Sequence, residues 1–118
     1  MGRLEIGVRG LGEVAADFVR TARALGRGTA VRKREQLWFA DMPTLLRTLT
    51  VERWRLMEHL RAHGPMSVNA AARGVQRNYK NVHGDIAKLV ELGLAVKLTD
   101  GRIRIPYRSI VAELRTAA

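Results

Sequence analysis

The stretch SVNAAARGVQRNYKNVHGDIAKLVELGLAVKLTDGRIRI, residues 67–105, decides how the rest of the chain is read. Ser67 stands where it can cap a short helix over 68–73, and Gly74 then turns the chain. A second helix starts near Asn78. In it Val82, Ile86 and Leu89 recur at spacings of four and three, with Val90 and Leu92 widening the stripe into one apolar face. The opposite side carries Lys80, Asn81, Gly84 and Lys88, with Arg77 and Asn78 at its amino-terminal end. Gly93 closes the helix. LAVKLT and RIRIP then alternate as two strands, joined at Asp100-Gly101 by a two-residue hairpin signal.

Upstream, residues 3–9 (RLEIGVR) place Leu4, Ile6 and Val8 on one face and Arg3, Glu5, Gly7 and Arg9 on the other, as in a half-buried strand. After Gly10 and Gly12, LGEVAADFVRTARAL sets Leu11, Val14, Phe18, Ala22 and Leu25 on a helical stripe ended by Gly26 and Gly28. A basic loop is expected over 26–34, a short strand over 36–40, and a short helix from Asp41 and Pro43 through Leu49. Thr50 caps a longer helix, VERWRLMEHLRAH. Val51, Trp54, Met57 and Leu60 are its inward residues, with Leu56 a further candidate, and Gly64-Pro65 end it. Past Pro106, YRSIVAELRTAA predicts a last amphipathic helix carrying Ile110, Val111 and Leu114.

The expected fold class is therefore mostly α with a small β component (α+β). A strand-helix-strand dimerisation arm over 1–49 precedes a winged helix-turn-helix domain with a C-terminal helix over 50–118. The arm is too small to bury a sheet alone, which suits it to pairing with a second copy or a partner.

The 118 residues carry 21 Lys and Arg against 11 Asp and Glu, a net charge of +10. A surface so basic is expected to meet a polyanion, most commonly nucleic acid. The chain has no cysteine, which excludes disulfides and thiolate metal sites and fits a reducing cytoplasm. No apolar run reaches the 18 or so residues of a membrane span, and the first residues lack a signal-peptide core. A cytoplasmic protein without membrane contact is the expectation.

A helix fits the major groove, where Lys and Arg pair with guanine and Asn with adenine. Asn78 and Asn81 are the base-reading candidates, provided that Asn78 does not serve as the helix cap, and His83 is a third. Arg77, Lys80 and Lys88 suit phosphates, while Tyr79 either donates its hydroxyl to one or stacks in the core. Gly84 weakens the helix by about 1 kcal/mol relative to Ala, so close approach of the backbone to DNA would explain it. In the hairpin Lys97, Arg102 and Arg104 are set for the minor groove or the backbone, or else guard a strand edge. RNA recognition usually displays stacking aromatics, and only Tyr79 lies near this basic surface.

Other patterns lead nowhere. His59 and His63 share a helix face, but Leu60 stands where a zinc protease needs Glu, so no metal is expected. Gly10-Leu11-Gly12-Glu13-Val14-Ala15 matches a dinucleotide fingerprint without the larger parallel sheet such a site requires. No nucleophile stands with a base, so neither an enzyme nor a cofactor is expected.

From about Thr50 onward the sequence resembles winged-helix regulators of archaea and bacteria of the MarR and ArsR types. LTVERWRLMEHLRAHGPMSV (49–68), RNYKNVHGDI (77–86) and LVELGLAV (89–96) carry the resemblance, which is weak over the first 50 residues. The relatives have a basic residue where this chain has Gly84. The resemblance implies a homodimeric regulator of double-stranded DNA, often repressing its own operon. Some relatives look like antitoxins, which implies as the alternative a toxin protein held by the front segment.

Overall fold

Residues 2–9, 30–33 and 35–113 are described by a computed structural model of the chain. In chain order the elements are β1 (Arg3–Val8), β2 (Ala30–Lys33), β3 (Gln36–Phe39), α1 (Met42–Thr48), α2 (Val51–His63), α3 (Val68–Gly74), α4 (Tyr79–Glu91), β4 (Val96–Lys97), β5 (Ile103–Arg104) and β6 (Ser109–Ala112). The chain divides into two compact units, Met1–Thr48 with Tyr107–Ala118, and Leu49–Pro106. The helix expected over 11–25 and the glycine turn before it lie outside the described residues.

Among the described residues the first unit is built on a four-stranded sheet of order β2-β3-β1-β6. β1 runs parallel to both β3 and β6, and β2 pairs antiparallel with β3. The alternation in β1 is realised: Leu4 and Ile6 are buried while Arg3 and Glu5 are exposed. Leu37 and Phe39 join them from β3, and full burial of each such side chain contributes about 1.5–3 kcal/mol. On the other sheet face Trp38 lies across Gly7, where an added Cβ would come within 2.7 Å of the indole. The Arg9 guanidinium covers that ring at 4.0 Å from its centroid. α1 packs on β1 and β3. Asp41 starts it by accepting from the Thr44 amide at 2.8 Å, and hydrogen bonds from the Thr44 side chain and amide lower the carboxyl's pKa.

Two expectations fail in this unit. The basic loop over 26–34 contains an edge strand, since Ala30–Lys33 pairs with β3. The C-terminal helix is not formed over 109–112, which is a strand, so these residues close the first unit's sheet instead of extending the helix-turn-helix domain. The physical reason is the open edge of β1. Leu4 and Ile6 take Ile110 and Ala112 as register partners, and Arg108 and Glu113 donate their amides to the carbonyls of Gly2 (3.0 Å) and Ile6 (2.9 Å). Tyr107 is buried, and its hydroxyl accepts from Arg32. Arg32 also donates to the Gln36 carbonyl at 3.2 Å, and burial lowers its pKa against the opposing charge of Glu35.

The second unit packs α2, α3 and α4 around Leu56, Met57, Leu60, Ala71, Ala72, Val82, Ile86 and Leu89, with Leu92, Leu94, Ile103 and Ile105 below. Thr50 and Ser67 cap their helices by accepting from the Arg53 and Ala70 amides. Val51 does not point inward as expected but is 66% exposed, leaving Leu56 in its place in the core.

Candidate nucleic-acid interface

The turn between α3 and α4 is held by its own backbone. The amides of Val75, Gln76 and Arg77 donate to the carbonyls of Ala71, Arg73 and Ala72 at 3.0, 3.2 and 3.0 Å. Its left-handed residue is Gln76 (φ 57°), not Gly74. Gly74 has a different task, because any Cβ there would run into the His59 ring of α2. His59 in turn stacks on His63 at 4.4 Å. Among the described residues no three metal-ligating side chains come together.

Asn78 then caps α4. Its side-chain oxygen accepts from the Lys80 amide at 2.7 Å and the Asn81 amide at 3.4 Å. Reading adenine requires an asparagine to offer oxygen and amide together, so this engagement removes Asn78 from base readout. Two of the expected phosphate contacts are likewise committed elsewhere. Arg77 bonds Asp85 at 2.7 Å and Glu52 at 3.2 Å, with its side chain 21% exposed. Lys88 is mostly buried and pairs with Glu91 at 3.3 Å.

What α4 presents outward is Tyr79, Lys80, Asn81, His83, Gly84 and Ala87, together with Val90, which is 36% exposed and does not widen the buried stripe as expected. Tyr79 is 52% exposed, so it lies outside the core, and its ring is tilted 5.9 Å from that of His83. Gly84 has no heavy atom within 4 Å of a Cβ position and is not among the positive-φ glycines. Neither packing nor backbone conformation within the described chain calls for glycine there. With Ala87 one turn on, it leaves a low strip on the outer face, flanked by Lys80, Asn81 and His83.

Sequence reasoning missed the group that fixes the angle of this helix. Asp85 is 15% exposed and accepts from Arg53 Nε of α2 at 2.9 Å as well as from Arg77. It also missed exposed Arg73 and Gln76, which flank the turn. A basic residue in the last turn of α3 was the available signal.

The hairpin is tied to this frame by a bridge no motif announces. Met66 and Ile103 exchange both backbone hydrogen bonds, at 3.0 and 2.7 Å, so the residue after Gly64-Pro65 serves as a third, one-residue strand. The tip is a three-residue loop rather than a two-residue one. Gly101, at φ 89°, donates to the Leu98 carbonyl, and Leu98 donates to that of Arg102. Asp100 accepts from the Arg102 amide at 3.0 Å and its guanidinium at 2.8 Å, and these bonds lower the carboxyl's pKa. Arg102 is thus partly neutralised at the tip. Lys97 and Arg104 are exposed on the strands.

Three helices with a tight turn before the last, followed by a hairpin bridged back to the first connection, define a winged helix-turn-helix unit within an α+β chain. The chain belongs to the HVO_A0114 family, whose model matches residues 48–112. It is also similar to the solved multiple antibiotic-resistance repressor (MarR) of Listeria monocytogenes 4b F2365, at 16% identity and a TM-score of 0.46, covering 80% of this chain. The match spans 54% of that repressor's length. No curated protein matches the chain. Among the described residues no helix is long and apolar enough to cross a membrane.

Proposed function

We propose that this protein is a sequence-specific regulator that binds double-stranded DNA as a homodimer and represses its own promoter by occupying it. The observation that carries this reading is the outer face of α4. It is a cap-defined helix whose exposed strip combines Lys80, Asn81 and His83 with the unfilled Gly84, in a chain of net charge +10. A helix face of that kind can enter a major groove, with Lys80 on phosphate and Asn81 and His83 at base edges. Lys97 and Arg104 of the hairpin add backbone contacts, and Arg102 adds one only by leaving Asp100. Arg77, Asn78 and Lys88 hold the helix in shape and do not read DNA. The toxin-partner alternative draws no support from the fold or the comparisons.

The test is affinity for the protein's own upstream DNA against scrambled duplex of equal length, titrated over salt. Preference beyond tenfold supports sequence-specific regulation, whereas equal affinity for both would leave only a basic surface. Lys80→Ala should weaken binding to all sequences and flatten the log–log salt dependence by about one unit. An unchanged slope would take Lys80 off the phosphate. Asn81→Ala should relax preference at one base pair, a loss of about 1–3 kcal/mol of discrimination, and a selected-site profile identical to wild type would refute that assignment.

A further inference from the structure

We infer that the outer edge of β6 is the surface through which two copies of this chain pair, strand against antiparallel strand, with Val111 on the two-fold axis. This deepens the dimeric reading above by naming its interface.

Among the described residues β6 is an edge strand of the sheet, with only β1 beside it. The Glu113 amide bonds the Ile6 carbonyl of β1, while the odd-numbered amides of Glu5 in β1 and of Arg9 just after it turn to the carbonyls of Glu35 and Phe39. Given the register of Leu4 with Ile110 and Ile6 with Ala112, residues 109, 111 and 113 direct their backbone groups at β1. The N–H and C=O of Ile110 and Ala112 therefore point away from the sheet.

Sheet edges are ordinarily blunted by charge, proline or a bulge. The opposite edge strand, β2, carries Arg32 and Lys33, but Ser-Ile-Val-Ala carries no charge at all. Ser109, Val111 and Ala112 are exposed, Val111 to 42%.

A second copy fits this edge by its own symmetry. An axis through Val111 sets Ile110 opposite Ala112 of the partner subunit, and all four outward groups on each strand find partners. Large then meets small on one face and valine meets valine on the other. The same register sets Glu113 of each strand opposite the partner's Ser109. Val111 becomes a non-hydrogen-bonded pair, with Cα atoms about 4.5 Å apart.

That spacing falls within disulfide range, and the chain has no cysteine to confuse the result. In the full-length protein Val111→Cys should cross-link to a covalent dimer on mild oxidation at micromolar concentration, while exposed Leu46→Cys should not. Ala112→Pro removes an outward N–H and leaves the bonds to β1 intact, as edge positions allow. It should halve the sedimenting mass with circular dichroism unchanged. A monomeric wild type would overturn both the dimer and its interface. A dimeric Ala112→Pro variant, or Val111→Cys cross-linking no better than Leu46→Cys, would overturn the β6 interface alone. DNA affinity measured on the same preparations separates either failure from failure of the DNA reading.

Discussion

Gly84→Glu is expected to abolish specific DNA binding, weakening it more than about 100-fold, or about 2.7 kcal/mol, while the protein stays folded. The two effects separate because of where Gly84 sits. A Cβ there meets no described atom within 4 Å and the backbone needs no left-handed conformation, so the fold accepts residues other than proline. Gly84→Ala should even stabilise the helix by about 0.5–1 kcal/mol. A carboxylate at this position would lie one turn from Lys80, drawing off its charge, and would face the phosphates with the wrong sign. Thermal melts alongside anisotropy titrations on one duplex measure both quantities. If the Glu variant bound DNA like wild type, the outer face of α4 would not be the DNA surface.

The second large effect is expected inside the unit. Asp85→Ala leaves the Arg53 and Arg77 guanidiniums, 23% and 21% exposed, without the carboxylate they share. Breaking a buried pair by removing one partner costs about 3–5 kcal/mol, and residual water access here reduces that to about 2–3 kcal/mol. Urea denaturation should show a midpoint lowered at constant m-value, with Asp85→Asn falling between the variant and wild type because it keeps one acceptor. A loss below about 0.5 kcal/mol would mean that the arginines are solvated and the bridge does not fix the helix angle.

These two residues also mark how far the sequence could be read. The helices and their caps were legible, because apolar spacing and Thr50, Ser67 and Asn78 are local signals. Strands β1 and β3 were legible for the same reason. Asp85 was not: its partners lie 32 and 8 residues away, and no pattern along the chain reveals that two arginines converge on it. The ion pairs of Arg77 and Lys88 were hidden in the same way, since a positive charge in sequence does not disclose its counter-charge. Asn78 is chemically suited to both capping and base reading, and only the geometry of the Lys80 amide decides between them. The C-terminal segment failed differently. Ile110, Val111 and Leu114 satisfy a helical stripe, but the strand depends on β1, more than a hundred residues earlier.

That last pairing sets an order of assembly during synthesis. The helix-turn-helix unit is one continuous run, Leu49–Pro106, and every contact within it is available once that run has left the ribosome. β1 emerges first yet must wait for residues 109–112 before its second edge is covered. The most N-terminal strand is thus among the last to be completed, behind a unit that can already have folded. For as long as that wait lasts, the nascent chain carries an unsatisfied strand edge that chaperones or a neighbouring nascent copy can reach.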